Sequence, residues 1–297
     1  MKTVLSHILG LLLLWSSAVC AHDVVVVQSL PVKPYDEAAR GLRSACKGEV
    51  KQIVLSELQG EDVLRVIQES SPRLIVAVGA EALAKVKKIR QTPIEYLMVL
   101  TPPASVQAQP NVTGVSMTIP PERYLAILEK ALPAARRIGL VYDPTKSGTF
   151  VRRAQQTARS MGFELIAREA RTPREVPNLL QGMKGAIDAF WMIPDTTVVT
   201  PESVEFLLLF AQESRLPVMT FAAKYVEMGA LFSLDLDPFD LGKQAAEMAN
   251  RMLAGEAAAD IPRSDARKGV TRFNRSVAKR LGVNPDEAER SGPSERK

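Results

Sequence analysis

Apolar positions along the chain alternate between short unbroken runs and longer stretches spaced three and four apart. Residues 24–27 are four consecutive valines, the pattern of a strand covered on both faces. After a loop, residues 35–47 read as a helix and 52–55 as a second short strand. A helix over 61–70 follows, with Val63, Leu64, Val66 and Ile67 on one face and Pro72 as its stop. The spacing then predicts a strand over 74–78 ending at Gly79, a helix over 80–89 and a fourth strand over 96–100. Strands that alternate with helices in this way predict a parallel sheet with helices on both faces.

The rhythm restarts after a break near residues 105–120. Pro121 opens a helix at the position where a missing N–H costs nothing. Tyr124, Leu125, Ile127, Leu128 and Leu132 lie largely on one side of it. Strands are predicted over 138–142, 164–167, 189–193, 218–220 and 231–236. The intervening helices are predicted over 148–161, 175–183 and 201–214, and a closing helix over 241–253 is ended by Gly255. The expected fold class is therefore α/β, with two Rossmann-like lobes, each built on a parallel sheet. Residues 284–297 are polar and carry two prolines, which predicts a disordered tail.

The N-terminus changes what the composition means. Lys2, an apolar core over 8–15 and the small residues around Ala21 form the pattern of a secretory signal peptide, residues 1–21. The apolar run is shorter than the roughly 20 residues a membrane span needs. A lipid anchor at Cys20 is the competing reading, weakened by Val19 where a small residue is preferred. Beyond residue 21 the 297-residue sequence retains one His (His22), one Cys (Cys46) and one Trp (Trp191). A catalytic triad needs an internal His with neighbours to orient it, and a His/Cys zinc site needs more ligands than these. The expectation is thus no enzyme, no catalytic residues, no metal and no cofactor, in an extracytoplasmic, periplasmic protein. Net charge is +5, with 38 Lys and Arg against 33 Asp and Glu spread along the chain. No basic block is interleaved with aromatics, so nucleic acid is not an expected partner.

In an open parallel sheet, ligands bind beyond the carboxyl ends of the strands. In the first half these ends carry Ser29, Gly79, Ala80 and Thr101. In the second they carry Tyr142, Ser147, Thr149, Asp195, Thr196 and Phe221. Small residues, hydroxyls, a carboxylate and a few aromatics suit a small polar or zwitterionic ligand. Gly79-Ala80 either offers free helix N–H groups to a carboxylate or merely permits a tight turn. Asp195 either takes a ligand ammonium or caps the turn that follows it. Trp191 is read first as core and second as a stacking surface. Asp235-Leu236-Asp237 at a strand end also resembles the paired acids of haloacid-dehalogenase phosphatases, although Phe239 stands where that pattern has Thr or Val. No glycine-rich phosphate loop occurs.

Five segments, in order, resemble the ABC-transporter substrate-binding proteins of the tryptophan- and tyrosine-binding type. They are Asn111-Val112-Thr113-Gly114-Val115-Ser116, the stretch 131–144 through Pro133 and Asp143-Pro144, residues 229–246, residues 253–262 with Asp260-Ile261-Pro262, and Asn274 followed by 278–282. The resemblance implies a type I periplasmic binding protein, or Venus-flytrap, fold whose lobes are joined by a hinge of three crossings. It assigns 22–118 and about 231–258 to the N-terminal lobe, and 119–230 and about 266–283 to the C-terminal lobe. It implies a monomer that captures a small, amino-acid-like ligand for an inner-membrane ABC permease; a ligand-sensing module for a receptor is the alternative. Asp195 and the Ser147-Gly148-Thr149 loop match the family on the cleft side. Thr101-Pro102-Pro103 departs from the Asp-Pro common there, and Phe221-Ala222-Ala223-Lys224 replaces a more polar loop.

Overall fold

A computed structural model describes residues 22–58 and 62–286. The signal segment expected over 1–21 and residues 287–297 of the expected tail lie outside the described residues. In chain order the first half runs β1 (Val24–Gln28), α1 (Lys33–Ala45), β2 (Val50–Val54), α2 (Val63–Ser70), β3 (Leu74–Val78), α3 (Ala80–Val86), β4 (Ile94–Val99), α4 (Ala104–Gln107) and β5 (Val112–Ser116). The second half runs α5 (Pro121–Ala131), β6 (Arg137–Tyr142), α6 (Pro144–Ser160), β7 (Glu164–Glu169), α7 (Val176–Gln181), β8 (Ala189–Trp191), α8 (Pro201–Glu213), β9 (Val218–Thr220), α9 (Ala223–Glu227) and β10 (Phe232–Leu236). It is followed by α10 (Pro238–Leu253), β11 (Gly269–Phe273) and α11 (Arg275–Leu281).

The first sheet has the order β2-β1-β3-β4-β5, with every pairing parallel. Alternation along β1 and β3 sends Val24, Val26, Leu74 and Val76 towards α1 and α10, and Val25, Val27, Ile75 and Ala77 towards α2 and α3. Helices α1 and α10 pack unusually close. A Cβ on Gly41 would stand 2.0 Å from the Phe239 carbonyl oxygen, and one on Gly242 2.0 Å from that of Ala38. Only glycine admits this approach.

The second sheet has the order β11-β10-β9-β8-β6-β7. Its strands are parallel except β11, which runs antiparallel to β10 from Phe232↔Phe273 to Leu236↔Gly269. The chain passes between the sheets three times: after β5, between β10 and α10, and over 262–268. The last crossing lies beside β5, where Val115 bridges Ser264 and the Thr113 hydroxyl donates to the Ile261 carbonyl at 2.9 Å.

At the lobe boundaries two features differ from the sequence reading. The return to the first lobe was expected at about residue 231, but β10 belongs to the second sheet. Its backbone is paired there, with Phe232 opposite Met219, and the Leu231 N–H donates to Val218. The crossing comes at Asp237, whose carboxylate accepts the Asp240 N–H at 3.0 Å and caps α10. Strand β5 lies inside the segment read as the break, because Asn111 and Gly114 dilute its strand signal.

Candidate functional site

A mainly apolar cavity of about 240 Å³ lies between the sheets beneath the crossings. This is below the roughly 300–1,000 Å³ usual for ligand pockets, so its occupant is small. Its floor is aromatic. Trp191 ends β8, and strand alternation turns it into the cavity while Phe190 and Met192 pack on the sheet's other face. Tyr124 from α5 meets Trp191 at 5.1 Å between ring centroids, tilted by 40°, and Phe150 from α6 meets it edge-on at 5.6 Å. The Tyr124 hydroxyl donates to the Leu234 carbonyl at 3.2 Å, which ties α5 to β10. Burial pushes the Tyr124 hydroxyl pKa above the ordinary range, with Asp235 adding to the rise.

Leu234 and Leu236 of β10, Ile193 and Phe221 complete the second-lobe wall, and Met117 and Ile119 of the first crossing close one side. From the first lobe only Leu100 and Thr101 reach the cavity. Besides the Tyr124 hydroxyl and the Trp191 indole N–H, the polar side chains on its wall are those of Thr101, Thr118, Lys146 and Ser147.

Three of the expected site residues line this cavity: Thr101, Ser147 and Phe221. Ser147 and Thr149 lie inside α6, which starts at Pro144, and not in a loop; Asp143 starts the helix earlier than the apolar spacing suggested. Thr149 is exposed and accepts a hydrogen bond from Arg152 at 3.0 Å. Ser29 is buried; its hydroxyl donates to the Val78 carbonyl and accepts the Ala82 N–H at 2.9 Å. Gly79 has φ of 94°, and a Cβ there would meet the Ser29 hydroxyl at 2.6 Å, so the tight-turn requirement explains this glycine. Ala80 and Thr196 are exposed, and the Tyr142 hydroxyl donates to Glu169 at 3.3 Å.

Asp195 is 1% exposed and does not line the cavity. One of its oxygens accepts the Asp143 N–H at 2.8 Å; the other accepts the Thr197 and Val198 N–H groups at 2.9 and 3.2 Å. Asp143 in turn accepts from the Thr145 hydroxyl, the Thr197 hydroxyl and the Thr145 N–H, which together hold its carboxyl at about 2. The two aspartates brace neighbouring strand ends. Asp235 accepts the Ala223 N–H at 2.6 Å and the Ser233 hydroxyl, while Asp237 caps α10 and pairs with Lys268 at 3.0 Å. The paired acids of the phosphatase alternative are thus committed within the fold. Among the described residues no group of three or more His, Cys, Asp or Glu is placed to hold a metal. No helix among them is long and apolar enough to cross a membrane.

Sequence reasoning missed Tyr124, Lys146 and Phe150. Tyr124 lies on the same face of α5 as its core leucines, and Lys146 carries no motif. The nearest legible signal was the Asp143-Pro144 helix start, which places Lys146, Ser147 and Phe150 within the first two turns of α6.

A family model described as ABC transporter substrate binding protein matches residues 47–295. A curated relative, a tyrosine-binding protein of Clostridioides difficile (strain R20291), is 25% identical over 154 residues, which are 51% of this chain and 44% of that protein. The match therefore spans less than half of that relative. Among solved structures, a ligand-free, open substrate binding protein with adhesive properties from Clostridium difficile superposes with a TM-score of 0.71 at 21% identity, covering 92% of this chain and 96% of that one. An ABC domain in complex with L-Trp from Streptococcus pneumonia gives a TM-score of 0.60 at 20% identity, covering 91% and 98%. At these identities the structural likeness establishes the type I periplasmic binding protein fold.

Proposed function

The chain belongs to the ABC transporter substrate binding protein family, and on that premise we propose that it captures one small molecule with an aromatic or branched apolar body in the cavity between its lobes. The observation that carries this reading is the cavity floor of Trp191, Tyr124 and Phe150, set where the three crossings allow the lobes to close. A dry cavity of about 150 Å³ holds one benzene-sized ring. The 240 Å³ here suits a ring with a short polar tail, the size of an aromatic amino acid. That size agrees with the tyrosine and L-Trp named for two relatives.

Leu100 and Thr101, exposed on the first lobe, would be covered as the lobes close over the ligand. The closed form would then be recognised by an inner-membrane permease and the ligand released for import. The signal-peptide pattern of residues 1–21 supports a periplasmic site of action. Transport as a monomer completes the reading.

A thermal-shift panel tests it with aromatic amino acids, their deaminated acids, sugars and nucleosides. A ligand at a hundredfold excess over its Kd stabilises the folded chain by about 2.7 kcal/mol, or several degrees of Tm. At least one aromatic compound is expected to produce such a shift, accompanied by a change in fluorescence of Trp191, the sole Trp beyond residue 21. A panel in which no compound shifts Tm overturns the proposal.

A further inference from the structure

Resting on the solute-binding reading of this cavity, we infer that the ligand carries a carboxylate, or a similar anion, and no ammonium: it is an apolar, aromatic-bodied acid rather than a zwitterionic amino acid. The inference comes from the charges facing the cavity. Lys146 is the one ionisable group on its wall besides the Tyr124 phenol, whose hydroxyl is already bonded to Leu234. Among the described residues the Lys146 ammonium makes no salt-bridge contact; its charge acts at longer range on the Asp143 carboxylate, whose oxygens already accept from Thr145 and Thr197. Beside it stand the hydroxyls of Ser147, Thr101 and Thr118, each able to donate to an anion. A lysine with hydroxyl donors near an otherwise apolar wall complements a carboxylate.

The same wall has no side-chain carboxylate to receive an ammonium. The acids that lie next to wall residues in the chain are all occupied. Asp143 accepts from Thr145 and Thr197, and Asp195 from three backbone N–H groups. Asp235 accepts from Ala223 and Ser233. Strand alternation also turns it away from the cavity that its neighbours Leu234 and Leu236 face. Asp237 is spent on the α10 N-terminus and Lys268. An ammonium closed into this cavity would lose its hydration without gaining a counter-charge, and would face the like charge of Lys146.

Isothermal titration of the full chain lacking residues 1–21 with matched compounds separates the possibilities. The probes are indole-3-propionate, tryptophan, tryptamine and indole-3-propionamide, with the corresponding 4-hydroxyphenyl series. The deaminated acids are expected to bind at least about tenfold more tightly than the amino acids, and the amines not measurably, since a charge-assisted hydrogen bond is gained in one case and a charge left unpaired in the other. Lys146→Met is expected to weaken the acids by about tenfold or more and to leave the neutral amide unchanged. Because Lys146 is exposed in the first turn of α6, the variant should fold; an unchanged Tm without ligand checks this. Amino acids that bind as tightly as their deaminated partners, or acids indifferent to Lys146→Met, overturn this inference and leave the solute-binding reading standing. Silence across the whole thermal-shift panel overturns both.

Discussion

The two sheets finish their strands differently. In the first, the carboxyl ends carry small or apolar residues: Ser29 tied to its own lobe, Gly79 in a tight turn, and Leu100-Thr101 open to solvent. In the second, they carry aspartates locked into networks of N–H groups and hydroxyls, and aromatic rings packed against one another. A braced edge holds its side chains in fixed places, whereas an edge of small residues offers a surface that can approach and withdraw. On the proposed solute-binding reading, the second lobe would serve as the platform for the ligand and the first as its cover. The buried charges follow an inverse pattern. The second lobe keeps its acids at strand ends and satisfies them. The first lobe buries Glu95 of β4 at 0% exposure with neither carboxylate oxygen bonded.

The largest expected effect strikes the platform. Trp191→Ala removes a side chain 1% exposed and packed on two rings, and large-to-small aromatic changes in cores cost about 3–5 kcal/mol. The denaturant midpoint should fall accordingly, and aromatic ligands should lose their binding surface. A loss of less than about 1 kcal/mol would show that the aromatic wall is not a packed unit.

Next in size is Asp195→Ala, which removes the acceptor of three N–H groups; with water entering the space the carboxylate leaves, the expected net cost is about 1–3 kcal/mol. Stability should drop while the ligand affinity of the folded fraction changes by less than about twofold. An affinity lost without a loss of stability would move Asp195 from brace to ligand contact and blur the distinction between edge and platform.

The smallest effect concerns the first lobe. Desolvation pushes the Glu95 carboxyl well above its ordinary value of 4.5. Above pH 4.5 the unfolded chain releases this proton and the folded chain retains it. The unfolded state then binds fewer protons, so stability falls as pH rises towards the folded pKa. The slope from this group is at most about 1.4 kcal/mol per pH unit. Glu95→Gln should remove that slope, matching the parent near pH 4.5 and exceeding it increasingly at higher pH in parallel urea titrations. Parent and variant curves that run parallel across pH would mean that Glu95 is not held as the neutral acid.

Much of this architecture is written locally. The valine run at 24–27 and the helix-opening prolines 121 and 201 each act on their own segment through burial period or fixed φ. The βαβ order and the two α/β halves were legible for that reason. The candidate site was legible only in part. Thr101, Ser147 and Phe221 stand at strand or helix ends, where the rule for parallel sheets looks for them, and Trp191 was open to two readings. Tyr124 and Leu234 were indistinguishable from core, since an apolar residue on an inward face reads the same whether it meets another side chain or a cavity.

By itself, then, the sequence determined the element types, the parallel-sheet class and the lack of internal His and Cys clusters, because propensity, capping and composition are local or additive. Tertiary structure alone decided that β10 stays with the second sheet while α10 crosses to the first. Strand partners and helix seats are chosen by hydrogen bonds and close contacts between segments far apart in the chain, such as Phe232 with Met219 and Gly242 against Ala38. It alone decided, too, that Asp195 faces backbone amides and Lys146 faces the cavity. A side chain's role depends on which neighbours the fold has already brought to it.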